Sequence, residues 1–171
     1  MPRFEDGVFQ ENILDNDLIN KMVSFARIGA VPEYLLKFPI EITPVDDAAN
    51  AIYNLIIHPN NQNRIFHLFN HNYVYVRKLL KLFDKSNNEI TILQEEKFKS
   101  KIKEILQNEE TKRLLKNILD DFDNDLHLDY SNDIIIKSKF TVRYLKKADF
   151  KWHKISDNYL NRFINLLRKV I

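Results

Sequence analysis

Two glycines, Gly7 and Gly29, are all that this 171-residue chain contains, and they stand far apart. Glycine lets a backbone turn through positive φ or lie directly against a phosphate, because no Cβ intervenes. Loops that cradle dinucleotides or triphosphates need several glycines within a few positions. Neither fingerprint is present, and there is no G-x-S-x-G nucleophile elbow. Chemistry that depends on a glycine loop has to come from outside this polypeptide.

The remaining totals describe an ordinary globular domain. Hydrophobic residues make up 44% and charged residues 29%, enough to bury a core. Lys and Arg (26) nearly balance Asp and Glu (24), so the net charge of +2 gives no strong pull toward nucleic acid or anionic lipid. No cysteine occurs, which excludes disulfides, thiolate metal sites and a thiol nucleophile. The opening Met1-Pro2-Arg3-Phe4-Glu5-Asp6 lacks the apolar run of a signal peptide. No stretch approaches the roughly 18 apolar residues of a membrane span. The expectation is a cytoplasmic domain with neither a membrane nor a nucleic-acid partner.

Periodicity predicts a helix-dominated α+β fold with a few short strands. Apolar residues at helical spacing run over 12–28, and Gly29 supplies a C-terminal stop. A short helix is expected over 31–38, ended by Pro39, and a short strand over 40–43. Asp46 or Asp47 then caps a helix through Ile57 with Ala49, Ile52, Tyr53 and Ile56 on one face. Residues 64–69 suit a buried strand, 74–83 a basic amphipathic helix, and 89–93 another strand. Helices are expected over 95–107, 110–122, 142–147 and 156–169, with an acidic loop over 120–132. The apolar run 134–136 reads equally as strand or helix entry.

Several constellations imitate functional sites. His67 and His71 have metal-ligand spacing only on a helix, and their segment reads as strand and loop. Asp121, Asp123, Asp125 and Asp129 resemble the start of a calcium loop. The sixth position should be glycine and is Leu126; the twelfth should be glutamate and is Asn132. Asp46 and Asp47 are adjacent on a helix, so their carboxylates diverge, which suits capping better than acid–base chemistry. Cations interleave with Phe140, Tyr144, Phe150 and Trp152, a pattern that base-stacking surfaces share but that the near-neutral charge of the chain assigns to an amphipathic core segment. No tyrosine has a lysine four residues on, so the tyrosine–lysine couple of short-chain reductases is absent.

Three stretches carry a family resemblance. The first is Arg3-Phe4-Glu5-Asp6-Gly7-Val8-Phe9-Gln10, followed by Gly29 and Val31-Pro32-Glu33-Tyr34-Leu35. The second is Ile40-Glu41-Ile42-Thr43-Pro44-Val45-Asp46-Asp47-Ala48-Ala49, continuing to Phe66-His67-Leu68-Phe69-Asn70. The third includes Ser138, Thr141, Tyr144-Leu145, Phe150-Lys151-Trp152 and Tyr159-Leu160. Together they resemble the C-terminal part of the thioester reductase domains of nonribosomal peptide synthetases, within the extended short-chain dehydrogenase/reductases. The resemblance implies a substrate-binding subdomain that lacks the N-terminal Rossmann half. NADPH would bind in that half, and no cofactor in this chain. The substrate would be an acyl or peptidyl thioester on the phosphopantetheine of a carrier protein, released as aldehyde or alcohol. The resemblance also implies that Phe4, Phe9, Gln10, Pro44, Val45 and Asp46 line the substrate crevice, and that residues 64–69 would be an exposed strand edge without the missing half. A stand-alone module that docks a carrier protein through its basic segments is the alternative.

Overall fold

The computed structural model describes residues 3, 5–6, 16–58, 64–84, 90–115, 118–128 and 138–169. It is mainly helical, with four strands of two or three residues forming two small pairs.

Helix α1 (Asp17–Ile28) begins at Asn16, whose side chain accepts the Ile19 N–H at 3.2 Å, and closes on Gly29. Gly29 has φ +70° and donates its N–H to Phe25 and Ala26 carbonyls, a left-handed helix stop. Nothing lies within 4 Å of the Cβ position it lacks, so conformation rather than crowding selects glycine here. Strand β1 (Ala30–Pro32) follows at once and pairs in parallel with β4 (Thr91–Leu93). The helix expected over 31–38 is thus split. All three residues of β1 are buried, Pro32 is extended, and only Glu33–Lys37 turn as a 3-10 helix.

Strand β2 (Pro39–Ile40) pairs antiparallel with β3 (Val74–Tyr75), which leads directly into α3 (Val76–Asp84). The expected strand 40–43 leaves the ladder after Ile40, because Glu41 and Thr43 turn to bind Asn70. Helix α2 (Val45–Ile56) starts two or three residues earlier than expected. Pro44, not Asp46 or Asp47, is its N-cap, and both acids lie in the first turn, where the helix dipole favours them.

Residues 64–69 form no strand. Among the described residues, no backbone partner runs beside them. Ile65 is 82% exposed, while Phe66 and Leu68 are half-buried. Helix α4 (Glu95–Gln107) matches its expected span. The helix expected over 110–122 is broken into α5 (Glu109–Lys112) and 3-10 turns at Arg113–Leu115 and Leu119–Asp121. Leu115 and Ile118 stand three apart and are both fully buried, a spacing the tighter turn serves. In the acidic loop, Asp123 accepts N–H bonds from Asp125 and His127 at 2.9 Å each, and Leu126 takes φ +58°. The left-handed turn forms on leucine, where glycine was the expected requirement, at a cost of about 1–2 kcal/mol. Residues 134–136 lie outside the described set. Helices α6 (Lys139–Lys147) and α7 (Asp157–Leu167) complete the fold.

Two apolar clusters result. The main one joins α1, β1, α3, α4 and α7 around fully buried Leu79, Phe83, Ile102, Leu160 and Phe163. Among the described residues the second holds only Ala51, Leu55 and Leu145 as buried members. Phe66, Tyr144, Phe150 and Trp152 pack against it. The aromatics among the cations therefore pack as an apolar segment, although Phe140 stays 39% exposed. Among the described residues no helix is long and apolar enough to cross a membrane, and no cluster of His, Asp and Glu could hold a metal.

Candidate functional site

The β2–α2 junction is where the chain brings distant polar groups together. Pro44 fixes the backbone at φ −58°, and its carbonyl accepts the Ala48 N–H at 3.0 Å to start α2. The two acids that follow diverge, as adjacent helical residues must. Asp46 turns back on its own helix end: Oδ1 accepts the Asp47 N–H at 3.1 Å, and Oδ2 accepts the Glu5 N–H at 3.2 Å. The N-terminal segment thereby meets the junction across 41 residues.

Asp47 points inward and is 2% exposed. Its Oδ2 accepts the His153 backbone N–H at 3.0 Å, and its Oδ1 lies 2.6 Å from His153 Nδ1. A carboxylate can only accept, so Nδ1 carries the proton of this half-exposed ring. A buried carboxylate with two donors is stable; with fewer it is costly.

Asn70 is fully buried beside this pair. It donates from Nδ2 to the His153 carbonyl at 2.9 Å, and its Oδ1 accepts the Asn72 N–H at 2.9 Å. Its own N–H reaches Thr43 Oγ1 at 2.7 Å, and Thr43 in turn donates to Glu41. One polar node therefore ties the end of β2, the 67–72 loop, the start of α2 and the segment before α7.

Tyr159, 3% exposed on α7, faces the same junction. Burial, then the charges of Asp46 and Asp47, push its phenol far above the usual tyrosine range. It remains an un-ionised hydroxyl at every working pH. A reductase tyrosine needs the opposite, a neighbouring cation that lowers its pKa.

Of the six residues expected to line a substrate crevice, Phe4, Phe9 and Gln10 lie outside the described set. Pro44 (buried), Val45 (39% exposed) and Asp46 (half-buried) stand together at the junction. None of the three lines a described cavity. An apolar cavity of about 410 Å³ opens between α1, β2 and α3 instead, floored by Met22, Phe25, Leu35 and Leu80. At its rim Lys21 bridges Asp17 at 2.8 Å and Asp121 at 3.2 Å. Burial pulls the Lys21 ammonium down, but the two carboxylates together outweigh it and hold its pKa above the usual value.

Sequence reasoning missed Asp47 as a buried hub, and missed Asn70, His153 and Tyr159 as its partners. Local clues existed: Asn70-x-Asn72 has the spacing of a side chain that caps the backbone two residues on. His153 directly follows the Phe150-Lys151-Trp152 stretch.

The fold has counterparts among solved structures. The chain has the fold of part of a terminal reductase domain of nonribosomal peptide synthesis, which agrees with the C-terminal placement the motifs suggested. It is similar to a thiolation-reductase di-domain from an archaeal nonribosomal peptide synthetase, at 25% identity and a TM-score of 0.82. That likeness covers 99% of this chain and 34% of the di-domain. The terminal R domain of the myxalamid pathway (15% identity, TM-score 0.73) and the aureusimine cluster reductase domain (20%, 0.72) share the fold. Each is matched over 99% of this chain and 42% of its own. The chain thus spans between a third and a half of the length of these neighbours. No protein-family model matches it, and no curated protein sequence does.

Proposed function

We propose that the chain is the substrate-side part of an NADPH-dependent thioester reductase of the extended short-chain dehydrogenase/reductase kind. Its substrate is an acyl or peptidyl thioester held on the phosphopantetheine of a carrier protein, and its product an aldehyde or, after a second reduction, an alcohol. The observation that carries this reading is the near-complete overlay on a thiolation-reductase di-domain that extends far beyond it.

The residues present do not fit NADPH. Gly29, the one described glycine, is spent on a helix stop, and Tyr159 faces two acids instead of a lysine. Hydride chemistry belongs to a nucleotide-binding half outside this chain. What these residues supply is shape. The node around Asp47, Asn70 and His153 holds the β2–α2 junction rigid, and Val45 and Asp46 stand at its surface, backed by buried Pro44, as the substrate wall. The bare apolar face of α2 and residues 64–69 provide the surface on which the nucleotide-binding half packs.

The test is reconstitution. The chain mixed with a separately expressed nucleotide-binding half should oxidise NADPH in the presence of an acyl-pantetheine thioester, whereas the chain alone should bind no NADPH by calorimetry. Micromolar NADPH affinity in the chain alone, or no turnover from a complex shown to form, would sink the reading.

A further inference from the structure

The cavity of about 410 Å³ between α1, β2 and α3 falls within the roughly 300–1,000 Å³ of small-molecule sites, and none of Pro44, Val45 and Asp46 lines it. Its walls follow from helical spacing. Leu18, Met22 and Phe25 share one face of α1, and Val76 and Leu80 share one face of α3. Leu35, from the 3-10 helix, joins them. Met22, Phe25, Leu35 and Leu80 are all buried, so the floor belongs to the main core and keeps its shape. Leu18 stands half-buried at the edge.

The charged lining fixes the sign of what can enter. Among the described residues it consists of three carboxylates, Asp17, Asp121 and Glu41, and one ammonium, Lys21. Lys21 bridges both aspartates, at 2.8 and 3.2 Å, so its charge is already engaged on the α1 side. Burial alone would lower that ammonium's pKa, and the two carboxylates more than offset it, as a negative rim does. Glu41 comes from the β2 side. Its described bonds are to uncharged donors, the Thr43 hydroxyl and the Asn70 N–H at 3.3 Å, both on Oε1. Among the described residues no cation bridges Glu41. An anionic head would meet carboxylates with the ammonium already engaged, and a neutral head would leave the negative charge unanswered.

We infer that this cavity binds a small organic cation, a primary amine whose phenylalkyl or alkyl body lies on Met22, Phe25 and Leu80 and whose ammonium meets Glu41. The apolar body gains by leaving water, and the unbranched Met22 adapts to bodies of different shape. The ammonium brings three donors, and Oε2 of Glu41 is used by none of its described bonds. Glu41 is exposed, so its ion pair contributes selectivity more than affinity. The inference stands on the cavity and its charged lining, and needs neither the reductase reading nor a partner chain.

The experiment titrates the isotope-labelled 171-residue chain at neutral pH with phenylbutylamine, phenylbutyrate and phenylbutanol, which share a body and differ in the head. The amine should give saturable shifts on Leu18, Met22, Leu35 and Leu80, and should bind roughly tenfold more tightly than the carboxylate. Glu41→Gln keeps the shape and an oxygen acceptor for Thr43 and Asn70. It should weaken the amine about fivefold and leave the alcohol unchanged. Leu18→Trp, which fills the edge of the cavity, should abolish binding of all three, and the Glu41→Gln comparison stands whether or not that variant folds. Equal affinity for amine and carboxylate, no saturable shift at millimolar amine, or shifts centred away from the cavity would each overturn the inference. So would the same shifts from ammonium chloride alone, an unchanged amine affinity in Glu41→Gln, or full amine affinity in a folded Leu18→Trp variant.

Discussion

The two apolar clusters are built from the same kinds of side chain and end differently. Around α3 and α7, the described apolar residues of the main cluster pack against one another, and Phe83, Leu160 and Ile164 are sealed from water. Around α2 and α6, only three of the described apolar residues are buried, while Ile52, Tyr53 and Ile56 project at 45%, 62% and 75% exposure. Helix α2 is amphipathic, but its best apolar stripe faces outward, and the side turned to α6 presents Asp47, Ala51 and Leu55. An apolar stripe that wide is unusual for a surface without a partner. Among the described residues the first region is sealed, while the second leaves its apolar stripe open to solvent.

The sharpest way to break this comparison is to cut into both regions. Phe83→Ala should cost about 3–5 kcal/mol in urea denaturation, because the sealed core cannot collapse around the void. Leu145→Ala should cost about 2 kcal/mol, the low end for a buried leucine, because its thin cluster can close or admit water. Equal losses would mean that the second region is as well packed as the first.

Next in size is the pair that joins the regions. His153→Ala leaves the buried Asp47 carboxylate with one fewer donor and should cost about 1–3 kcal/mol. Adding Asp47→Asn to that variant should recover part of the loss, a coupling that a double-mutant cycle reads directly. Additive losses would show that the pair contributes nothing beyond its separate contacts.

Smaller still in the isolated chain is Ile56→Glu, expected within about 0.5 kcal/mol of the parent because the position is open to solvent. The same change should abolish assembly with a nucleotide-binding half. A large loss of stability in the chain alone would show the α2 face to be already packed.

The sequence made the first region legible and the second only half so. The limits of α4 and the stop at Gly29 followed from local rules, and those elements depend on little else. The stripe of Ala49, Ile52, Tyr53 and Ile56 was also read correctly as one face. Its destination was not, because no described residue of the chain covers it. Residues 64–69 carry a strand's composition, but among the described residues no neighbour supplies the ladder, so propensity had nothing to act on. Strand β1 is three apolar residues, too short for periodicity to separate from a helix turn. The polar node escaped for a different reason. Asn70 meets His153 across 83 positions and Asp47 meets it across 106, and no window of local sequence contains either pair.

The smallest effect should come from pH and should fall on the second region alone. His71 packs edge-on against Phe69 at 4.5 Å and lies 3.4 Å from Ser138, at the start of α6. Burial lowers its pKa below the usual 6.5, and the nearby Glu41 only partly opposes this. The folded state therefore prefers the neutral ring and binds fewer protons than the unfolded chain. Above the unfolded value of 6.5 both states are neutral and the full stability is present. As pH falls through that value the unfolded chain gains its proton first, and stability declines until the folded ring titrates as well. Melting temperature should drop gently between about pH 7.5 and pH 5.5, and His71→Gln should flatten that slope. Hydrogen exchange should quicken in α6 across the same window while α7 stays protected. Equal loosening of α7, or an unchanged slope in the variant, would show that the two regions respond as one.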